Sequence, residues 1–287
     1  MTKQPATRPV PPASSGPRLG GPWLPAALLI LGLVGGGLWW GQSIRAPAPT
    51  VLEGDFHALR VLPDGTLLYG QHAGVSISTD EGRTWSAPNG AGDAMALAAA
   101  PAGPVLVMAG HDVLKVSQDG GQSWQAHPFG TLPSTDIHGF TVLPDAPGTW
   151  YANLAGAGLY RTTDGRTWRP VTAVTGSAMA LAAGPSSRLY ALGAQLLVSD
   201  DAVTWQQAQH APAASAIDVH PLTGHVYLAG WAGVFRSTDQ AATWEKLPFP
   251  ESARLVAVSP QNDRQLYAVG GSGKVYRSQD GGATWGP

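Results

Sequence analysis

From residue 50 onward, short apolar runs alternate with polar turns rich in glycine and proline, and the alternation recurs. Asp55-Phe-His57-Ala-Leu, Asp93-Ala-Met95-Ala-Leu and Asp136-Ile-His138-Gly-Phe share one frame with Ser177-Ala-Met179-Ala-Leu, Ser215-Ala-Ile217-Asp-Val and Ser252-Ala-Arg254-Leu-Val. Each reads as a short strand, and most run into a turn marked by proline (Pro63, Pro101, Pro144, Pro185, Pro221, Pro260). A second strand follows, carrying Tyr69, Tyr151, Tyr190, Tyr227 or Tyr267. A third ends in a polar motif closed by tryptophan, and a fourth starts near that tryptophan.

The closing motif is clearest in Ser278–Trp285, Ser-Gln-Asp-Gly-Gly-Ala-Thr-Trp. Ser78–Trp85, Ser117–Trp124 and Ser237–Trp244 match its length, while Thr162–Trp168 and Ser199–Trp205 are one residue shorter. A period of about 40 residues with four short strands in each predicts a β-propeller. Asp80, Asp119, Asp164, Asp201, Asp239 and Asp280 each stand where a side chain can accept backbone N–H groups just downstream and close a tight turn. Trp85, Trp124, Trp168, Trp205, Trp244 and Trp285 each offer a flat apolar surface of about 150–250 Å² to bury. No second carboxylate stands at ligand spacing, so the motif reads as turn-building rather than metal-binding.

Ser-x-Asp-x-Gly-x-Thr-Trp resembles the Asp-box, or bacterial neuraminidase repeat, of sialidases, sortilin-type receptors, some glycoside hydrolases and photosystem II assembly-factor propellers. The resemblance covers residues 50–287 and implies an all-β, six-bladed propeller of four-stranded blades with Asp-box turns. It is specific for fold and unspecific for function. Ala202 and Ala241 replace the expected glycine in two copies, which predicts looser turns there. Thr50–Glu53 precedes the first inner strand and is expected to complete blade six, closing the ring without open edges.

The N-terminus has a different pattern. Residues 1–22 are rich in proline, serine and glycine, carry Lys3, Arg8 and Arg18, and read as a disordered cytoplasmic tail. Residues 23–41 are uncharged and apolar; as a helix they would span about 28 Å, enough for one transmembrane signal-anchor. Preceding positive charge and flanking Trp23, Trp39 and Trp40 orient the tail inward and the propeller outward, on a single-pass cell-membrane anchor. Ala46-Pro47-Ala48 is followed by Pro49, a poor cleavage site, so the anchor is expected to stay. Residues 42–49 read as a linker.

A net charge of −2 leaves no basic footprint for nucleic acid, and the absence of cysteine removes disulfides and thiolate sites. Nothing in the pattern calls for more than a monomeric propeller.

In the expected blade, the loops opposite the boxes gather the unusual polar residues. His57, His72, Asp93, His111, Asp112, Asp136, His138, Trp231 and Arg254 map to that face and form the candidate ligand-binding surface. A sialidase-like site would need three arginines, a Tyr–Glu pair and an acidic residue, each occurring once per ring. The tyrosines instead repeat, as do Arg161, Arg236 and Arg277 before the boxes. Glu53 and Glu251 remain as a candidate carboxylate pair for ordinary glycoside hydrolysis. His57, Met95, His138 and Met179 recur at one position of successive inner strands, an arc of donors suited to copper. Trp231, between glycine-flanked turns, is a candidate hot-spot anchor. The leading expectation is an extracytoplasmic module binding an envelope protein, peptide or glycan. A glycoside hydrolase acting on extracellular glycans is second, and copper binding could accompany either.

Overall fold

A computed structural model describes residues 51–101 and 105–287. The tail at 1–22, the helix at 23–41 and the linker at 42–49 lie outside the described residues. Among those described, no helix is long and apolar enough to cross a membrane.

The described residues form an all-β, six-bladed propeller. In blade one, Ala58–Val61, Leu67–Gln71, Gly74–Ser78 and Asn89–Gly90 hydrogen-bond in that order, each antiparallel to the last. The inner strands of the other blades are Ala96–Ala99, Ile137–Leu143, Ala180–Ala183, Ala216–Val219 and Ala253–Ser259. Each packs beside the next, and the first packs beside the last, so the ring closes. The strands begin later than the sequence frames do, which leaves Asp55, Asp93 and Asp136 at the mouth of the channel, ahead of the strands.

Burial between blades falls to the second strands. Tyr69, Tyr190, Tyr227 and Tyr267 are almost wholly enclosed. Their rings fill the wedge between neighbouring sheets while the hydroxyls reach polar partners: Tyr69 donates to the Asp55 carbonyl at 2.8 Å and Tyr227 to the Asp263 carbonyl at 3.0 Å.

The repeated turn between strands three and four is a hydrogen-bonded clamp. In blade one, Ser78 Oγ donates to Asp80 Oδ1 (2.8 Å) and accepts from the Gly82 N–H (2.9 Å). Thr84 donates its N–H to Asp80 Oδ1 (2.9 Å) and its hydroxyl to Asp80 Oδ2 (2.6 Å). Asp119, Asp239 and Asp280 make the same set. In the two shorter copies the missing residue brings N–H groups closer along the chain. There Asp164 Oδ1 accepts from Arg166 and Thr167, and Asp201 Oδ1 from Val203 and Thr204.

The expectation of looser turns at Ala202 and Ala241 is corrected. Both alanines adopt the left-handed backbone of the glycines they replace, at φ 65° and 75°. The Ala241 N–H still reaches Ser237 Oγ at 2.8 Å, and Trp205 Nε1 still reaches the Ala202 carbonyl at 2.8 Å. Left-handed alanine costs about 1–2 kcal/mol, and several bonds to a charged carboxylate outweigh it.

Blade six has three continuous strands, and its fourth position is composite. Gly286 exchanges two backbone bonds with Arg277 (2.8 and 2.9 Å), while Val51 bridges Lys274 and the Leu52 N–H donates to the Gly273 carbonyl at 2.8 Å. Leu52 is buried in the same core as Leu247, Phe249 and Val275. The expected N-terminal closure therefore supplies one end of that edge and the C-terminal residues the other.

The clamps have a pH signature. Hydrogen bonds from Thr84, Ser123, Thr204 and Thr243 lead in holding the carboxyls of Asp80, Asp119, Asp201 and Asp239 down at about 2. A depressed folded-state pKa contributes stability above the unfolded value that is lost as pH falls through the folded one. The thermal midpoint is thus expected to drop between about pH 4 and pH 2, and Asp119→Asn with Asp239→Asn to flatten that slope. Tryptophan fluorescence melts across this range check it; an unchanged slope in the double variant would remove the clamps from acid stability.

Candidate functional site

On the face opposite the clamps, the tips of the second-to-third-strand hairpins meet the loops that lead into the inner strands. The hairpin registers place His72, His111 and Trp231 at one equivalent position, the first residue of a two-residue connection. The heads of the inner strands contribute Asp55 and His57, Asp93 and Met95, and Asp136 and His138. Three adjacent blades thereby bring four imidazoles and three carboxylates together.

Within this cluster His57 Nε2 lies 3.3 Å from His72 Nδ1, which closely contacts Asp55 Oδ2. Next to it, Asp136 Oδ1 lies 3.3 Å from His111 Nε2 and 3.2 Å from His138 Nε2. Asp93 stands between the two groups. Its Oδ1 is 3.5 Å from His57 Nε2, and its Oδ2 is 2.7 Å from His111 Nδ1 and 3.9 Å from His72 Nε2. The hydrogen bond between His72 and Asp55 raises the imidazole's pKa and lowers the carboxyl's. His57 is pushed down by burial, against the opposing pull of Asp93.

The remaining sequence candidates are placed as follows. Asp112 accepts from Thr135 Oγ1 beside the cluster. Met95 and Met179 line the channel together with His57 and His138. The close groups of nitrogen and oxygen donors combine histidines and aspartates from the inner-strand heads and the hairpin tips. Arg254 lies over the Phe56 ring, 5.7 Å from its centroid. By the repeat alone His127 also maps to the mouth face; it lies instead at the clamp turn of blade three, its Nε2 2.9 Å from the Gly165 carbonyl and its ring against Trp150. Trp231 is 91% exposed, so it neither plugs the channel nor packs on a neighbouring blade.

Glu251 is fully engaged: it accepts from the Ser272 N–H (2.8 Å), Ser272 Oγ (2.6 Å) and the Tyr276 hydroxyl (2.8 Å). Burial raises its carboxyl, but these bonds outweigh it and hold the group below the ordinary range. That is the reverse of what a general acid needs. Glu53 is exposed, and its backbone carbonyl is 3.5 Å from the Tyr69 hydroxyl.

The channel beneath the mouth encloses about 470 Å³ between the inner strands. Sequence reasoning missed the pin that crosses it. Arg60 donates to Asp218 Oδ1 (3.3 Å) and to the Ala99 carbonyl (2.9 Å), and Asp218 also accepts from the Val258 and Val219 N–H groups (both 2.9 Å). Four blades are joined through one ion pair. The available signal was Asp218 itself, an acid at a frame position otherwise filled by alanine, glycine or leucine.

No protein-family model matches the chain, and no curated protein matches it. Solved structures do. A structure described as YCF48 bound to D1 peptide superposes with TM-score 0.52 at 19% identity, covering 82% of this chain and 84% of that one. YCF48 from Cyanidioschyzon merolae gives TM-score 0.52 at 19% identity, over 83% of this chain and 87% of that one. A GH74 xyloglucanase from Xanthomonas campestris gives TM-score 0.56 at 18% identity, over 83% of this chain but 46% of its own. These likenesses show the propeller fold.

Burial raises the Asp218 carboxyl, with Arg60 and the backbone bonds pulling the other way. Arg60→Met leaves that charge without its partner and is expected to cost about 3–5 kcal/mol at neutral pH. A raised carboxyl is least costly when protonated, so the cost should shrink as pH falls toward the unfolded carboxylate range. Urea unfolding of both proteins at neutral and mildly acidic pH reads this; an equal penalty at both would remove the charge argument.

Proposed function

We propose that this chain is an Asp-box propeller, held at the outer surface of a cell membrane by the apolar stretch at 23–41, that binds a peptide or protein segment as an assembly module. The observation that carries the reading is Trp231, 91% exposed at a hairpin tip on the face that also holds the channel mouth. Exposed tryptophan with no packing task is characteristic of binding hot spots. The short hairpins make a shallow, rigid rim suited to an extended or protruding segment. The YCF48 structure with a bound D1 peptide supports the partner class, since a propeller of matching extent there takes a peptide. Lys3, Arg8 and Arg18 ahead of the apolar stretch support an inward tail and an outward propeller.

Hydrolysis of extracellular glycans ranks second. Its support is the likeness to GH74 propellers, and its weakness is that Glu251 is bound up by Ser272 and Tyr276.

A phage-displayed random peptide library, panned on the protein, tests the leading reading. A peptide family should enrich, and Trp231→Ala should weaken its binding about 30-fold or more while the thermal midpoint stays put. Binders indifferent to Trp231, or turnover of a fluorogenic glycoside panel that Glu251→Gln abolishes, would overturn it.

A further inference from the structure

We propose that the histidine–aspartate cluster at the channel mouth is a two-ion site for a divalent transition metal of the zinc class. The first ion would take His57 Nε2, His72 Nδ1, Asp55 Oδ2 and Asp93 Oδ1. The second would take His111 Nε2, His138 Nε2 and Asp136 Oδ1. Within each group of three, Asp55–His57–His72 and His111–Asp136–His138, the candidate ligand atoms lie within 4.8 Å of one another. Two ligands on a tetrahedral zinc ion, each at about 2.0–2.1 Å, stand about 3.3–3.4 Å apart. The His57–His72, His111–Asp136 and His138–Asp136 separations of 3.3, 3.3 and 3.2 Å already match that spacing.

Asp93 supplies the independent evidence. Its side chain is only 10% exposed; Oδ2 is ion-paired with His111 Nδ1, while Oδ1 accepts no hydrogen bond and faces His57 Nε2 at 3.5 Å. A buried carboxylate oxygen without a donor is costly unless a positive charge satisfies it. A cation between Oδ1 and the His57–His72 pair does so. The other oxygen, 2.7 Å from His111 Nδ1, stands where it would orient that ring for the second ion through its far nitrogen. A carboxylate behind a ligating histidine is the usual outer support of such sites. Asp93 would thus be a ligand of one ion and a positioning residue for the other.

The donor set selects the ion class. Imidazole with carboxylate suits zinc, nickel, cobalt or cupric ions, as distinct from the softer cuprous ion that thioethers favour. The second ion, with three protein ligands, keeps a coordination position open toward solvent or a partner. This site stands independently of the peptide-binding reading, and either can fail without the other.

The test uses the full-length protein, stripped with chelator and titrated with Zn²⁺ against a chromophoric competitor. Two ions should bind per chain, one to His57→Ala, one to His138→Ala and none to the double variant. Asp93→Asn should weaken binding about 10–100-fold. Co²⁺ in place of Zn²⁺ should give the visible absorption of low-symmetry nitrogen–oxygen coordination, lost in steps in the same variants. If the inner-strand variants fail to fold, His72→Gln and His111→Gln replace exposed tips and should each remove one ion. Fewer than two ions on the parent protein, or two retained by the double variant, would overturn the proposal.

Discussion

Everything in this fold depends on a short carboxylate clamp made six times. An aspartate binds the serine or threonine two residues before it and the backbone two to four residues after it, which folds the chain sharply between strands three and four. The sharp turn delivers a tryptophan to the side of the sheet, where it can cover the neighbouring core. In blade two the tie is direct, because Trp124 Nε1 donates to Asn89 Oδ1 on the outer strand of blade one at 2.8 Å. Local turn chemistry thereby sets the spacing between blades. The clamps tolerate alanine at φ values suited to glycine because their bonds are numerous and charge-assisted.

The period was legible because each clamp lies within one continuous stretch of sequence. Strand order, the tyrosine wedges and the face opposite the clamps all follow once six copies are aligned. What escaped was long-range. Arg60 and Asp218 are 158 residues apart and meet only because the ring closes, so no local pattern pairs them. The turns at Ala202 and Ala241 were misread for the opposite reason, since propensity at one residue gave way to bonds made by its neighbours.

The mouth shows the same division. Its residues were legible as a set, because the repeat assigns every loop to a face. Which of them touch was not, since that depends on how far each side chain reaches from its blade. Alternating His and Met at one inner-strand position suggested an arc around the channel. The imidazole contacts run outward, to His72 and His111 at the hairpin tips, through Asp93.

A ring of near-identical blades can carry a localised function only where the repeat is broken. Here the break follows an arc: aspartate heads the inner strands of three adjacent blades, and serine heads those of the other three. The hairpin tip that carries histidine in blades one and two carries tryptophan in blade five. The face is therefore divided between a polar, anionic side and an apolar anchor on a common rigid frame. Strands locked by clamps on the far face cannot slide, so the separation between the two sides is held constant. A partner engaging both must present an apolar group and a polar group at that separation, and this is a geometric filter that neither side imposes alone.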